Sequence, residues 1–188
     1  MLVLGLIGDA ESVGVYQAAA KTATLVTFVL YAVNTVAAPR FATLYAQGRT
    51  GELAALVRQA AHAIFWPTLG VVAFLVAAGR PVLRLFGPAF DAAYAPLVLL
   101  VLAQLVNAGV GSVAYLLNMT GRQRHTMWVV GCCAVANVAL NAVLIPRLGL
   151  LGAALASGLS IVAWNLWLHR IVVRELGFSP SILAALRG

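Results

Sequence analysis

Five stretches of the chain are long and almost uninterruptedly apolar: 13–38, 60–79, 92–119, 126–146 and 148–168. A helix needs roughly 20 mostly apolar residues to cross a hydrocarbon core about 30 Å thick, and each stretch is of that length. The runs are continuous rather than alternating, which predicts helices and not barrel strands. The pattern therefore predicts an all-α membrane protein, a polytopic helical bundle of about five complete transmembrane helices. Residues 1–8 are apolar but too short to span, and no basic region precedes them. They read as the end of a truncated helix, so that Met1 need not be the natural start. The whole chain, 1–188, is expected to form a single transmembrane domain.

The residues between the runs predict where helices stop. Pro39 is expected to close the first span, Pro67 to sit inside the second and bend it, and Pro96 to occupy the first turn of the third. Pro146-Arg147-Leu148-Gly149 reads as a tight break that makes the last two spans an antiparallel hairpin. Residues 40–59 are expected to form a cytoplasmic loop. Within it, Thr50-Gly51-Glu52-Leu53 starts a short amphipathic segment with Leu53, Leu56 and Val57 on one face. Residues 169–188 are expected to be a cytoplasmic tail.

Charge adds orientation. Charged residues make up 9% of the chain, against about 25% in a soluble domain, so lipid must cover what charge does not. The net charge of +7 comes from basic residues scattered singly between apolar runs, which are topology signals rather than a nucleic-acid surface. Arg40, Arg49, Arg58, Arg122, Arg124, Arg170, Arg174 and Arg187 fall on one set of alternate connections; Arg80, Arg84 and Arg147 fall on the other. The richer set should face the cytoplasm, giving a cell (inner) membrane protein with a cytoplasmic C-terminus. Cys132 and Cys133 are adjacent inside an apolar run and imply neither a disulfide framework nor a metal site. The acidic residues are Asp9, Glu11, Glu52, Asp91 and Glu175, all outside the five runs. There is no Walker loop, no metal-ligand cluster and no catalytic carboxylate pair, so neither a catalytic residue nor a metal nor a cofactor is expected, and an enzyme is the least favoured class.

Polar groups inside the spans carry the local functional signal. Gln17, Lys21, Thr24, Tyr31 and Thr35 recur at helical spacing on one stripe of the first span. A lysine there either faces a bundle interior or wet cavity, where it would attract an anionic group, or snorkels to the interface. Gln104, Asn107, Gly111, Tyr115 and Asn118 form a second stripe, which fits a polar cavity lining or interhelical hydrogen bonding equally well. Thr126, Cys133, Asn137 and Asn141 form a third, and its asparagine pair is better explained by interhelical bonding. Lys21, Gln17, Thr24, Gln104 and Asn107 are the candidate substrate-binding residues. Gly149, Gly152, Ala153, Ala156 and Gly158 offer a small-residue surface for close helix packing. His62 and His169 read as interfacial, and Trp66, Trp128, Trp164 and Trp167 as an aromatic belt toward span ends.

Several short stretches recur in one order: Val13-Gly14-Val15-Tyr16 with 18–21, Pro39, the segment 48–53, and Leu85-Phe86-Gly87 with Phe90. They continue with Leu117 to Gly121-Arg122, Asn137 and Leu140-Asn141, Leu144-Ile145-Pro146, and Gly149 with Gly152-Ala153-Ala154. In this order the chain resembles the C-terminal half of polysaccharide-export flippases of the O-antigen, lipid-linked-oligosaccharide type. Their superfamily also holds multidrug and toxic-compound extrusion carriers. The likeness runs over nearly the whole chain, although no single motif is specific. It implies the C-terminal lobe of a two-lobe, twelve-helix transporter, this chain supplying the end of the seventh span and spans eight to twelve. It further implies a cationic cavity that receives the pyrophosphate of a lipid-linked sugar, with Lys21 at a position where relatives carry Arg or Lys. The implied partners are that substrate, membrane lipids, and a missing N-terminal lobe or a second copy. A drug/cation antiporter of the same superfamily, or a non-transporting scaffold of a polysaccharide-synthesis complex, stand as alternatives.

Overall fold

The computed structural model describes residues 10–186, so the truncated helix expected over 1–8 and the tail residue Arg187 lie outside the described residues. The described chain is helical throughout, with no strand. Its elements are α1 (Ala10–Ala46), α2 (Thr50–Arg84), a 3-10 turn (Pro88–Ala93), α3 (Tyr94–Val110), α4 (Val113–Met119), α5 (Gln123–Leu148), α6 (Leu150–Leu176) and α7 (Ile182–Ala185). Five helical segments among the described residues are long and apolar enough to cross a membrane: Val13–Ala46, Thr50–Arg84, Pro88–Val110, Gln123–Leu148 and Leu150–Leu176.

The expected loop over 40–59 is not a loop. Helix α1 runs through Pro39 to Ala46, α2 starts at Thr50, and the connection shrinks to the turn around Gly48. A proline inside a helix removes one backbone bond and crowds one carbonyl. That cost is offset here because the continued helices bury apolar side chains: Phe41 and Leu53 are fully buried and Val57 nearly so. Arg40 and Arg58, each next to one of these residues, are exposed. The amphipathic segment at Thr50 thus exists as the first turns of a spanning helix rather than as a separate surface element. The turn closes α1 with two reverse bonds, Gly48 N–H to the Tyr45 carbonyl and Arg49 N–H to the Leu44 carbonyl, both 3.0 Å. This Schellman pairing needs a left-handed residue, and Gly48, at φ 70°, supplies it.

The third expected span, 92–119, is broken. It begins with the 3-10 turn, runs as α3 to Val110, breaks at Gly111-Ser112 and resumes as α4. Gly111 has φ 85° and ψ −163°, a conformation that only glycine takes readily. A Cβ there would collide with the Pro180 carbonyl oxygen. The expected tail 169–188 is also structured: α6 continues to Leu176, and the segment after it folds back so that Pro180 meets Gly111 and Ile182 meets Gly109.

The last two spans form the expected hairpin, but its pivot is Gly149 alone, because Pro146 lies inside α5. Asn137 bonds Ala156 and Ser160, while Gly152 touches the Leu144 carbonyl, so the partners run antiparallel. Gly152 permits this close approach, since a Cβ there would strike that carbonyl.

Side chains pack in two layers, one toward each end of the bundle. The first joins Tyr16, Ala19 and Val26 of α1 to Leu75, Leu97, Val101 and Ala154. The second joins Phe41 to Leu53, Val57, Leu116, Leu117 and Leu168. Around both layers large apolar side chains stand exposed, among them Trp128 and Val135, each more than 70% accessible. Lipid, not water, is the medium such a surface fits.

Candidate functional site

The stripe on α1 lies on the helix face turned away from the bundle. Tyr16, Ala19, Ala23, Val26, Asn34 and Phe41 are buried, whereas Lys21, Thr24, Tyr31 and Thr35 are exposed and Gln17 is half-buried. The sequence left Lys21 either inside a cavity or at the interface; within this chain it is on the outside. It stands 11 residues beyond Ala10, about 16 Å along the axis. The hydroxyls of Thr24, Thr27 and Thr35 donate to the carbonyls of Lys21, Thr24 and Tyr31 at 2.6, 2.7 and 2.9 Å. These back-bonds satisfy the threonine protons and leave hydroxyl oxygens available on the outer face. Lys21 has no ion-pair partner among the described residues.

Gln104 and Asn107 sit one turn apart on α3, both half-buried. The Asn107 amide donates to the Gln104 side-chain oxygen at 3.0 Å. No hydrogen bond joins this pair to Lys21, Gln17 or Thr24. The structure therefore holds two separate polar groups, one on the outer face of α1 and one within α3. The second stripe is further divided by the break at Gly111.

The asparagines of α5 are structural. Asn137 donates to the Ala156 carbonyl and to Ser160 Oγ, both at 3.0 Å, and the Asn141 amide donates to the Asn137 carbonyl and side-chain oxygen. Sequence reasoning did not single out their partner Ser160, nor the bond between the buried Tyr16 hydroxyl and Ser157 at 3.0 Å. It also passed over a hub at the Arg-rich end. There the Arg122 guanidinium donates to Tyr45 Oη at 2.7 Å and to Glu175 at 3.3 Å, and lies 5.4 Å from the Tyr45 ring centre. The Tyr45 hydrogen bond, chiefly, holds the Arg122 pKa above its ordinary value. One side chain thus ties the end of α1, the start of α5 and the end of α6. The histidines are not simply solvated: His62 meets the Ala185 carbonyl at 3.4 Å and His169 meets Ser179 Oγ at 3.0 Å, both holding the folded-back segment. Trp66, expected near a span end, lies 16 residues inside α2 because that helix begins at Thr50.

Among the described residues, no group of three or more His, Cys, Asp or Glu side chains is placed to hold a metal ion. Among the described residues, the outer face of α1 carries a lysine and hydroxyls, whereas that of α5 is apolar. A family model described as MatE matches residues 1–143, which takes in α1 to α4 and most of α5. The chain belongs to the MatE family. Members of the MatE family are membrane transporters rather than enzymes, and this chain is accordingly a multi-pass transporter domain of their superfamily. No curated protein and no solved structure matches this MatE chain.

Proposed function

We propose that this MatE chain takes part in flipping a lipid-linked, pyrophosphate-bearing oligosaccharide across the cell membrane for surface polysaccharide synthesis. The observation that carries the reading is the outer face of α1. It presents Lys21, Thr24, Tyr31 and Thr35 exposed, with the half-buried Gln17 at the edge of the same stripe. A charge at bilayer depth is costly unless it meets protein, water or a counter-charge. A facing lobe, supplied by sequence preceding this chain or by a second copy, would turn that face into one wall of a cleft. A diphosphate cannot enter hydrocarbon bare, and a cationic, hydroxyl-bearing wall offers it compensation while the lipid tail stays in the bilayer. All five acidic residues lie outside the apolar windows of the sequence, and the described ones, Glu11, Glu52, Asp91 and Glu175, lie near a helix end or in a connection. The walls this chain provides thus favour an anionic cargo over a cationic drug. Gln104 and Asn107 contribute from α3 if the lobes' rocking opens that seam.

The test separates charge from stem in the full-length protein, with lipid-linked sugar flipping measured at matched expression. Lys21→Arg should retain most activity. Lys21→Met should lose about tenfold, the equivalent of about 1.4 kcal/mol of lost anion stabilisation, and Lys21→Glu should lose more. Normal flipping by the methionine variant would remove Lys21 from the site and make it a snorkelling lysine. Orientation is part of the same proposal: the end that carries Arg40, Arg49, Arg122, Arg124, Arg170 and Arg174 faces the cytoplasm. Cysteines placed at Gln47 and Asp91 should then react with impermeant reagents from opposite sides, Gln47 from the inside. Labelling of both from one side would refute it.

A further inference from the structure

A cleft of about 460 Å³ lies where α1 and α2 meet their connecting turn, with Arg40, Thr43, Gln47, Arg49, Glu52 and Gln59 on its polar walls. A second cleft, about 310 Å³, follows the same two helices away from the turn between Val33, Val36 and Ala37 of α1 and Ala60 and Ala63 of α2. The two share Arg40, Leu56 and Gln59, so they form one groove with a polar mouth and an apolar floor. From Arg40 to Val33 the groove covers seven residues, about 10 Å of helix, or some two-thirds of one leaflet's hydrocarbon depth.

The charges at the mouth are unequal in availability. Glu52 accepts from Arg49 Nε and Nη2 at 2.7 and 2.6 Å, so the one carboxylate among the described residues of the mouth is already paired. Arg40 is exposed, has no carboxylate partner among the described residues, and sits where the polar and apolar halves join. Among the described residues the mouth therefore carries one positive charge without a carboxylate partner, six residues (about 9 Å) before the end of α1, with an apolar slot beneath it. That is the charge and polarity sequence, in mirror image, of a single anionic glycerophospholipid.

From this we infer that the α1–α2 groove is a binding site for an anionic phospholipid of the surrounding bilayer. Its phosphodiester sits at Arg40 and Gln59, and one acyl chain lies along Val36, Ala60 and Ala63. The site is separate from the outer stripe of α1 that Lys21 marks and does not depend on what the transporter carries. A bound lipid would brace α1 against α2 across the segment where Pro39 weakens the α1 backbone ladder.

The experiment titrates the full-length protein in detergent with dioctanoyl phosphatidylglycerol, dioctanoyl phosphatidylcholine and glycerophosphoglycerol, reading bound lipid by native mass spectrometry. A basic residue near an anionic surface contributes about 1 kcal/mol, so phosphatidylglycerol should bind about fivefold tighter than phosphatidylcholine. Arg40→Gln should abolish that preference and Arg40→Lys should keep it. Ala63→Phe, which fills the slot, should weaken both lipids. Arg174→Gln, which removes an exposed charge from the same end but on α6, should change nothing. Equal binding of the two lipids by the unaltered protein would overturn the inference. So would loss of the preference in Arg174→Gln to the same degree, which would make it a property of the whole basic surface. Binding of glycerophosphoglycerol as tight as that of the lipid would also overturn it, because the apolar floor would then contribute nothing.

Discussion

Helices α1 and α5 both turn a long face away from the bundle, and the two faces differ in kind. Along α5 the exposed positions include Met127, Trp128, Cys132, Val135, Val138, Ala142 and Val143, an apolar series. Its asparagines point the other way and are bonded to α6 and to each other. Along α1 the arrangement is inverted: mostly apolar side chains pack inward, and Lys21, Thr24, Tyr31 and Thr35 are left outside among Leu25 and Phe28. Accessibility alone makes the two faces equivalent. Chemistry separates them, because a helix that meets hydrocarbon keeps polar atoms inside, where they can be paired. The α5 face is built for lipid. The α1 face carries charge and hydroxyls, and that difference, more than any single residue, supports the proposed cleft.

The sharpest way to break this contrast is to place the same charge on each face. Val135 lies near the middle of α5, and Val135→Lys should destabilise the full-length protein by about 2.5–3.5 kcal/mol, the cost of a lysine at the centre of a lipid-facing helix. Thr24→Lys, a turn from the existing lysine, should cost less than about 1 kcal/mol if a facing lobe or water covers that surface. Thermal unfolding in matched lipid, together with yield of inserted protein, measures both. Equal losses would mean that α1 meets lipid as α5 does, and the cleft would have to be sought elsewhere.

The spans were legible in the sequence because lipid imposes one strong rule, and runs such as 126–146 obey it. Helix ends were less legible. Beyond Pro39 the chain becomes amphipathic, and a pattern search for apolar runs stops there although Phe41, Leu53 and Val57 keep the helices packed. The break at Gly111 left no trace in hydropathy: Val110 and Val113 flank it, and what opens the helix is Gly111's backbone freedom combined with contact from Pro180, almost 70 residues away. Helical spacing found the α1 stripe correctly as a stripe. It could not say which way the stripe points, because periodicity fixes relative faces and only packing fixes which face is inside. Partners across helices, Ser160 for Asn137 or Tyr45 and Glu175 for Arg122, depend on which helices are neighbours, and no local pattern encodes that.

A smaller effect sharpens the same contrast from the inside of α5. If its polar groups serve packing, removing one should cost little, provided that no partner is orphaned. Asn137→Ala meets that condition. The Ala156 carbonyl keeps the Ser160 hydroxyl at 2.8 Å, Ser160 keeps its own bond by the same contact, and the Asn141 amide keeps the Asn137 main-chain carbonyl at 2.8 Å. Interhelical hydrogen bonds in membranes average about 0.6 kcal/mol, and Asn137 donates both to Ala156 and to Ser160, so the variant should unfold with a loss of about 1 kcal/mol and flip substrate at the normal rate. Tolerance follows from the geometry, since the variant removes the side chain's bonds to Ala156, Ser160 and Asn141 but leaves each of those partners another bond. A loss above about 2 kcal/mol would exceed the range seen for such bonds and show that Asn137 holds more than the hairpin. A drop in flipping with stability unchanged would be more consequential. It would place working polar groups on the inner face of α5, and the division between a lipid-facing helix and a cargo-facing one would no longer hold.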